Sequence, residues 1–235
     1  KVVDLVRNLG IAAGGTVMED CRVLEACREG KYTSVLVQTH DKKYVEYRTE
    51  HFVNALGSGA GKLCDSMGID AGLYPVRHQA FITRRLPMLG KHGTNLDMLI
   101  DRQDYKGFSA VYGQQIAYTG QIIGCASPKL DAMRIDKNLK VNTKAFLEIV
   151  SEMFSEWIPD LAGVGIQAVW AGYYTEPRYI VDPELGLFVG MRGHGFMLSQ
   201  YIARMYVDKL LGRPVPEYFE KLKLNGPGLS EKAFK

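Results

Sequence analysis

The chain has 235 residues, a net charge of +3 and 46% hydrophobic residues. These values are typical of globular proteins and exclude a disordered, collagen-like or coiled-coil chain. The small positive charge argues against nucleic acid or an anionic membrane as the main partner. The cysteines show no C-x-x-C pair, so we expect reduced thiols, no metal site and a cytoplasmic location, with peripheral membrane attachment as the alternative. No apolar run reaches about 18 residues, which argues against a transmembrane segment.

The first predicted element is a helix with apolar residues at helical spacing between Val2 and Leu9, followed by Gly10. No capping residue precedes this pattern. We therefore expect the sequence to begin inside a helix and to be the C-terminal part of a longer protein.

Short strands are predicted next, at residues 16–18, 22–26, 34–38, 43–48 and 51–55, with turns at Gly30 and Asp41. The last of these strands runs into the glycine-rich residues 57–61 and a helix at 62–67. A strand, a glycine turn and a helix form half of a βαβ unit.

The middle of the chain favours an antiparallel sheet, because its predicted strands are rich in β-branched and aromatic residues. These strands lie at 79–83, 96–101, 108–112 and 114–123, and residues 141–143 lead into a helix at 145–157. A final strand at Leu187–Val189, a glycine-rich loop and a helix at 196–211 complete an α/β unit. The order predicts an α/β (α+β) fold in which 1–72 and 160–212 share a domain, 73–159 form an inserted sheet domain, and 213–235 form a surface extension.

The glycine-rich string at 57–62 fits neither common phosphate-binding motif. Lys62 replaces the third glycine of G-x-G-x-x-G, while Leu56 and Leu63 replace the outer residues of G-x-x-x-x-G-K-[ST]. A nucleoside triphosphate site is therefore disfavoured, and a glycine-rich strand exit against a ligand or another backbone is favoured.

Three further strings carry candidate chemistry. Residues 193–197, GHGFM, open the last helix, where free N–H groups stabilise an anion, although a tight turn would read the same way. In PVRHQ at 75–79, alternation places His78 on the face opposite to Arg77, and an edge-strand charge pattern is the alternative. In residues 170–178, Tyr174 and Arg178 could clamp a carboxylate, or the segment could be an aromatic surface loop.

Taken in order, these strings resemble the FAD-dependent amino-acid and amine oxidoreductases of the D-amino acid oxidase group, which includes sarcosine and glycine oxidases, dimethylglycine dehydrogenase and dye-linked L-proline dehydrogenases. The resemblance rests on residues 52–58 (FVNALGS), 74–79 (YPVRHQ), 170–174 (WAGYY) and 188–197 (FVGMRGHGFM). It implies part of a Rossmann-like FAD/NAD(P)-binding domain with an inserted antiparallel-sheet substrate domain.

The resemblance implies FAD as the cofactor and hydride transfer from a small amino acid or amine to the flavin. The backbone N–H groups opening the last helix would then stabilise charge at the flavin pyrimidine edge. The cofactor-binding residues implied are Val23, Asn54, Ala55, Gly57, Ser58, Arg77, Met191, Arg192, Gly193, His194, Gly195, Phe196 and Met197.

For the substrate, the resemblance implies a carboxylate anchor and an uncharged amine. The anchors expected are Arg178, Tyr174 and either Tyr112 or Tyr118, and His78 is a candidate for tuning protonation. Metal ligands are not expected. The partners implied are the substrate and an electron acceptor (a dye, a quinone, a protein or O₂), and a homo-oligomer or hetero-oligomer is left open.

Two departures from the resembled family bear on the acceptor. Sarcosine oxidases carry a lysine on the strand over the flavin and another after G-H-G-F, whereas residues 120–124 contain none and Met197 occupies the second position. Without these cations, superoxide would lack a nearby positive charge. We therefore predict a dehydrogenase acting on proline, sarcosine or glycine-type substrates. The alternatives are an oxidase and a non-catalytic subunit or assembly module, because the family's N-terminal nucleotide motif is absent from this sequence.

Overall fold

The computed structural model describes residues 1–90, 95–102, 108–128, 143–159 and 162–228. These residues form two compact units. The first unit contains residues 1–72, 180–189 and 201–228, and the second contains the described residues of 73–179 and 190–200. The expected boundary at residue 160 precedes a strand that belongs to the second unit.

The first unit begins with helix α1 (Val2–Ala12), which has no buried residue. Strands β1 (Arg22–Glu29), β2 (Tyr32–Gln38) and β3 (Tyr44–Thr49) follow as an antiparallel sheet in that order. Helix α2 (Ala60–Ser66) comes next in the chain. Its Leu63 packs with Ala26, Val35 and Val37 in a small core, because these side chains lie on one face of the sheet.

Two short predicted strands of this unit are wrong. Residues 16–18 are irregular, and residues 51–55 contain only an isolated bridge from Asn54 to Leu187. Leu187 belongs to β10 (Leu187–Val189), which pairs with β9 (Ile180–Asp182) in a two-stranded sheet. A segment without a neighbouring strand along its length cannot form a continuous ladder.

The second unit contains a five-stranded antiparallel sheet in the order β5-β6-β7-β4-β8. Its strands are β4 (Tyr74–Thr83), β5 (Leu99–Asp101), β6 (Phe108–Ile116), β7 (Gln121–Pro128) and β8 (Ile166–Glu176). Helix α3 (Thr143–Trp157) covers one face. There Phe81 of β4 packs against Phe146 and Phe154, while His78 and Ala80 lie on the other face of β4. Residues 141 and 142, predicted to lead into α3, lie outside the described residues.

The structure corrects two sequence interpretations in this sheet. The single strand predicted at 114–123 is a hairpin, because the turn at 117–120 separates β6 from β7. Gly120 has φ +67 and approaches the carbonyl oxygens of Leu86 and Leu89 too closely for a Cβ atom. The aromatic segment at 170–174 is not a surface loop but part of β8, which pairs with β4 over most of its length.

Helix α4 (Gly195–Leu210) is the last long element. After it, a 3₁₀ helix at Glu217–Leu222 buries Phe219 and Leu222 almost completely. The predicted surface extension therefore contributes core side chains in its described part, and residues 229–235 lie outside the described residues. Within the described chain, every helix is too short or too polar to cross a bilayer.

Candidate functional site

The open face of the five-stranded sheet brings together His78 of β4 and Tyr174 of β8. Their ring centroids are 3.8 Å apart and the ring planes differ by 28°. His78 pairs across the ladder with Gly172, and Tyr174 pairs with Val76, the next residue of β4 on the same face as His78. The alternation of β4 places Arg77 on the other face, as the sequence predicted.

Tyr112 of β6 extends this group of polar side chains. Its hydroxyl lies close enough to Tyr174 and to the thiol of Cys125 for both groups to act on its pKa. Tyr112 pairs with Cys125, and Cys125 pairs with Ala80, so the small side chains of Cys125 and Ala80 lie on the same face of the sheet as Tyr112. Burial raises the pKa of Tyr112, Tyr174 and Cys125. All three groups therefore stay protonated at neutral pH.

His78 is uncharged at neutral pH. Burial, with a smaller contribution from the nearby charge of Arg192, lowers the pKa of His78 to about 4. Its Nδ1 atom is buried and has no hydrogen-bond partner among the described residues. A buried polar atom without a hydrogen-bond partner destabilises the fold, so this nitrogen is suited to form a hydrogen bond with a ligand.

Three contacts with the segment from Tyr174 to Tyr179 fix the turn that precedes α4. Arg192 Nε donates to Glu176 Oε2 over 2.6 Å. The backbone of Gly193 lies against the Tyr174 ring, where a Cβ atom would come within 2.7 Å of Cε2. The Tyr179 hydroxyl is hydrogen-bonded to His194 Nδ1 at 2.6 Å. Together these contacts fix the residues that open the helix.

The first turn of α4 remains accessible in this structure. Phe196 and Met197 are 74% and 66% exposed, and Gly195 and Met191 are half-buried. The first N–H groups of a helix lack partners within the helix and carry partial positive charge. Exposed donors beside glycines, together with the unpaired Nδ1 of His78, fit a flavin, whose ring nitrogens and carbonyl oxygens accept hydrogen bonds.

In the first unit, the predicted cofactor residues differ in exposure. Asn54 is fully buried, and its side chain donates to Ala60 O over 3.0 Å and accepts from Leu56 N over 3.3 Å. The asparagine thus shapes the glycine turn from inside. Ala55, Gly57 and Ser58 lie on the exposed side of that turn. Val23 is half-buried and packs against the core of the three-stranded sheet.

The remaining predicted residues are not part of the tyrosine and histidine group. Arg77 is buried on the side of β4 that carries Phe81, and Tyr118 lies in the β6–β7 turn with 86% of its surface exposed. Arg178 follows β8, and its carbonyl oxygen approaches Gly190. Sequence reasoning missed Cys125 and Glu176. Glu176 had a usable signal, because it lies two residues after Tyr174 and so shares its strand face.

Within the described residues, no three His, Cys, Asp or Glu side chains cluster in a way that could hold a metal ion. The functional groups near this face are hydroxyl, imidazole, thiol, carboxylate and guanidinium groups and the backbone donors at the start of α4.

Comparison with solved structures finds proteins of similar fold. The chain has a TM-score of 0.70 and 25% identity to L-proline dehydrogenase from P. horikoshii, over 91% of this chain and 55% of that one. Glycine oxidase from Geobacillus kaustophilus has a TM-score of 0.67 at 18% identity, over 92% and 54% of the two chains. Iminodiacetate oxidase from Chelativorans sp. BNC1 has a TM-score of 0.66 at 15% identity, over 94% of this chain and 57% of that one. No curated protein sequence matches significantly.

This chain thus spans about half the length of the solved structures it matches. The predicted fold class, part of a Rossmann-like FAD-binding protein with an antiparallel sheet, is confirmed by these structures. A family model described as FAD-dependent oxidoreductase (DAO) matches residues 1–209 and confirms FAD as the predicted cofactor. The chain therefore belongs to the DAO family of FAD-dependent oxidoreductases.

Proposed function

We propose that the complete protein is an FAD-dependent dehydrogenase that oxidises the C–N bond of a small amino acid or secondary amine, with proline and sarcosine favoured over glycine. The observation that carries this proposal is the open sheet face, where two protonated tyrosines and an uncharged histidine lie together. The likeness to L-proline dehydrogenase supports the choice of substrate class.

The residues of this face have separate roles in the proposal. The hydroxyls of Tyr174 and Tyr112 donate hydrogen bonds to the substrate carboxylate, and the guanidinium of Arg178 is a further proposed anchor. His78 accepts a hydrogen bond from the substrate amine, which an imidazolium could not do. Tyr118 is a weaker candidate because it lies in an exposed turn.

FAD, when bound, supplies the acceptor for the hydride that leaves the substrate carbon. In the second unit, Met191, Arg192, Gly193, His194, Gly195, Phe196 and Met197 are proposed to hold its ring system through the accessible start of α4. In the first unit, Val23, Ala55, Gly57 and Ser58 are proposed to contact the nucleotide, with Asn54 shaping their turn. Arg77 stays a predicted cofactor residue, although its side chain points to the helix-covered side of β4.

The choice of a dehydrogenase over an oxidase depends on charge. Strands β6, β7 and β8 contain no lysine or arginine, and β4 contributes only Arg77, on the other face. On β7, Gln121 is mostly buried and donates to Thr83 O and Gln167 Oε1, while Ile123 is partly exposed. The strands thus supply no cation on this face, and the nearby Arg192 is paired with Glu176. Superoxide would therefore gain little stabilisation, so we expect slow reaction with O₂.

The test uses the complete protein, purified and scanned for flavin absorbance. L-Proline, sarcosine and glycine are then added separately under anaerobic conditions. We expect proline or sarcosine to bleach the flavin bands and to reduce an added dye faster than they yield peroxide in air. No flavin uptake, or no bleaching by any of the three, would refute the proposed function, and peroxide formation as fast as dye reduction would make the protein an oxidase.

A further inference from the structure

The ion pair between Glu176 and Arg192 joins the end of β8 to the turn before α4. The side chains are only 15% and 26% exposed, and Nε and Oε2 are 2.6 Å apart. Arg192 has φ +48, a left-handed conformation that is unfavourable for a residue with a Cβ atom. The fold therefore keeps an arginine in an unfavourable backbone conformation at the place where it meets a carboxylate.

Both partners of the pair adjoin the stacked rings. Glu176 lies two residues beyond Tyr174 on the same face of β8. Arg192 is close enough for its charge to act on His78, and the next residue, Gly193, lies against the Tyr174 ring. The Tyr174 ring is thus in contact with His78 and with the Gly193 backbone, and the ion pair anchors the turn that carries Gly193.

We propose that Glu176 is a positioning residue of the substrate site. Its carboxylate holds the Arg192 guanidinium, and through it the Gly193 backbone, so that Tyr174 stays stacked on His78. The inference deepens the proposed function, because it relies on that function for the statement that Tyr174 and His78 contact substrate. The hold on the turn itself does not depend on which substrate is bound.

The test compares Glu176→Gln, Arg192→Gln and the double variant in the complete, FAD-loaded protein. Glu220→Gln in the first unit is the control, since it removes the ion pairs of Glu220 with Lys209 at 2.7 Å and Lys223 at 3.1 Å. Hydrogen exchange of the peptide covering residues 190–195 is measured by mass spectrometry. KM and kcat are measured with L-proline and sarcosine.

We expect each single variant to speed exchange of residues 190–195 by about tenfold. KM should rise more than kcat falls, because the tyrosine anchor binds ground state and transition state alike. The increase in exchange rate of residues 190–195 in the double variant should be at least about fivefold smaller than the product of the two single-variant increases. The reason is that neither charge is then left without its partner. Exchange in β6 should stay unchanged, which separates a local effect from general unfolding.

Exchange in Glu176→Gln that matches the Glu220→Gln control would overturn the proposal. So would single effects that simply multiply in the double variant, because the two residues would then act independently. Faster exchange at residues 190–195 without turnover of either amine would leave the positioning role supported and count against the proposed substrates instead.

Discussion

The backbone of Gly193 lies directly against the ring of Tyr174, so that a methyl group on Gly193 would come within 2.7 Å of Cε2. We expect Gly193→Ala to displace the ring from His78 and to destabilise the protein by about 1–3 kcal/mol, the usual cost of overpacking. Urea unfolding of the FAD-free protein measures this change. Gly172→Ala is the control, because the structure leaves open space there, and an equal loss in both variants would contradict the predicted contact.

Gly190 makes a closer approach, and we expect its replacement to be more damaging. It has φ +72, and a Cβ atom would lie 1.8 Å from the carbonyl oxygen of Arg178. Gly190→Ala should therefore cost more than about 3 kcal/mol or prevent folding. Gly212 has a similar φ of +67 with no atom near its Cβ position, so Gly212→Ala should cost only about 1 kcal/mol. Comparing soluble yield and thermal midpoint separates crowding from backbone strain.

The lowered pKa of His78 predicts a loss of stability in acid. The folded pKa of about 4 lies below the ordinary histidine pKa of 6.5, so the unfolded chain binds a proton first as the pH falls. The contribution is complete above pH 6.5 and declines towards pH 4, by at most about 3 kcal/mol from one histidine. Urea unfolding at pH 7 and pH 4.5 should show a smaller decline in His78→Gln than in wild type. In the control variant His40→Gln, which replaces an exposed histidine, the unfolding free energy should decline as much as in wild type.

Tyr174→Phe isolates the hydroxyl from the ring. The variant keeps the aromatic stack on His78 but loses the hydroxyl that interacts with Tyr112. We expect a loss of about 1 kcal/mol in unfolding free energy and weaker substrate binding. Because the two hydroxyls interact with each other, Tyr112→Phe should add little in the double variant. Full additivity would mean that the hydroxyls act separately, and Tyr118→Phe, in the exposed turn, should leave stability unchanged.

Asn54→Ala tests whether this predicted cofactor residue shapes its turn from inside. Its buried amide donates to Ala60 O, and its loss leaves that carbonyl without this partner. We expect a loss of about 2 kcal/mol in unfolding free energy, whereas the exposed Ser58→Ala should lose less than about 0.5 kcal/mol. Thermal unfolding without FAD checks this, and equal midpoints for the two variants would contradict the internal role of Asn54.

The sequence predicted the parts of the site that depend on local signals. Glycines around His194 mark the turn before α4, and alternation in β4 separates His78 from Arg77. The hairpin at residues 117–120 was missed because the flanking residues are all compatible with one long strand. Its turn depends on Gly120 meeting Leu86 and Leu89, more than thirty residues earlier in the chain.

Contacts between distant residues explain the other misses. Glu176 meets Arg192 across sixteen residues, and Tyr112 reaches Tyr174 over two intervening strands. Periodicity assigns such side chains to a face but does not choose their partners. The alternative of an aromatic surface loop at residues 170–174 is wrong for a related reason, since β8 becomes a strand through its ladder with β4.

Helix α1 presents Val2, Val3, Leu5, Val6, Leu9 and Ile11 to solvent and buries none of them. Eleven residues without tertiary packing are too few to keep a helix formed in water. When this polypeptide is produced alone, the exposed hydrophobic residues of α1 should promote non-specific association with other molecules. Mild detergent or a solubility tag should then raise the soluble yield. Deletion of residues 1–12 should reduce aggregation without lowering the melting temperature.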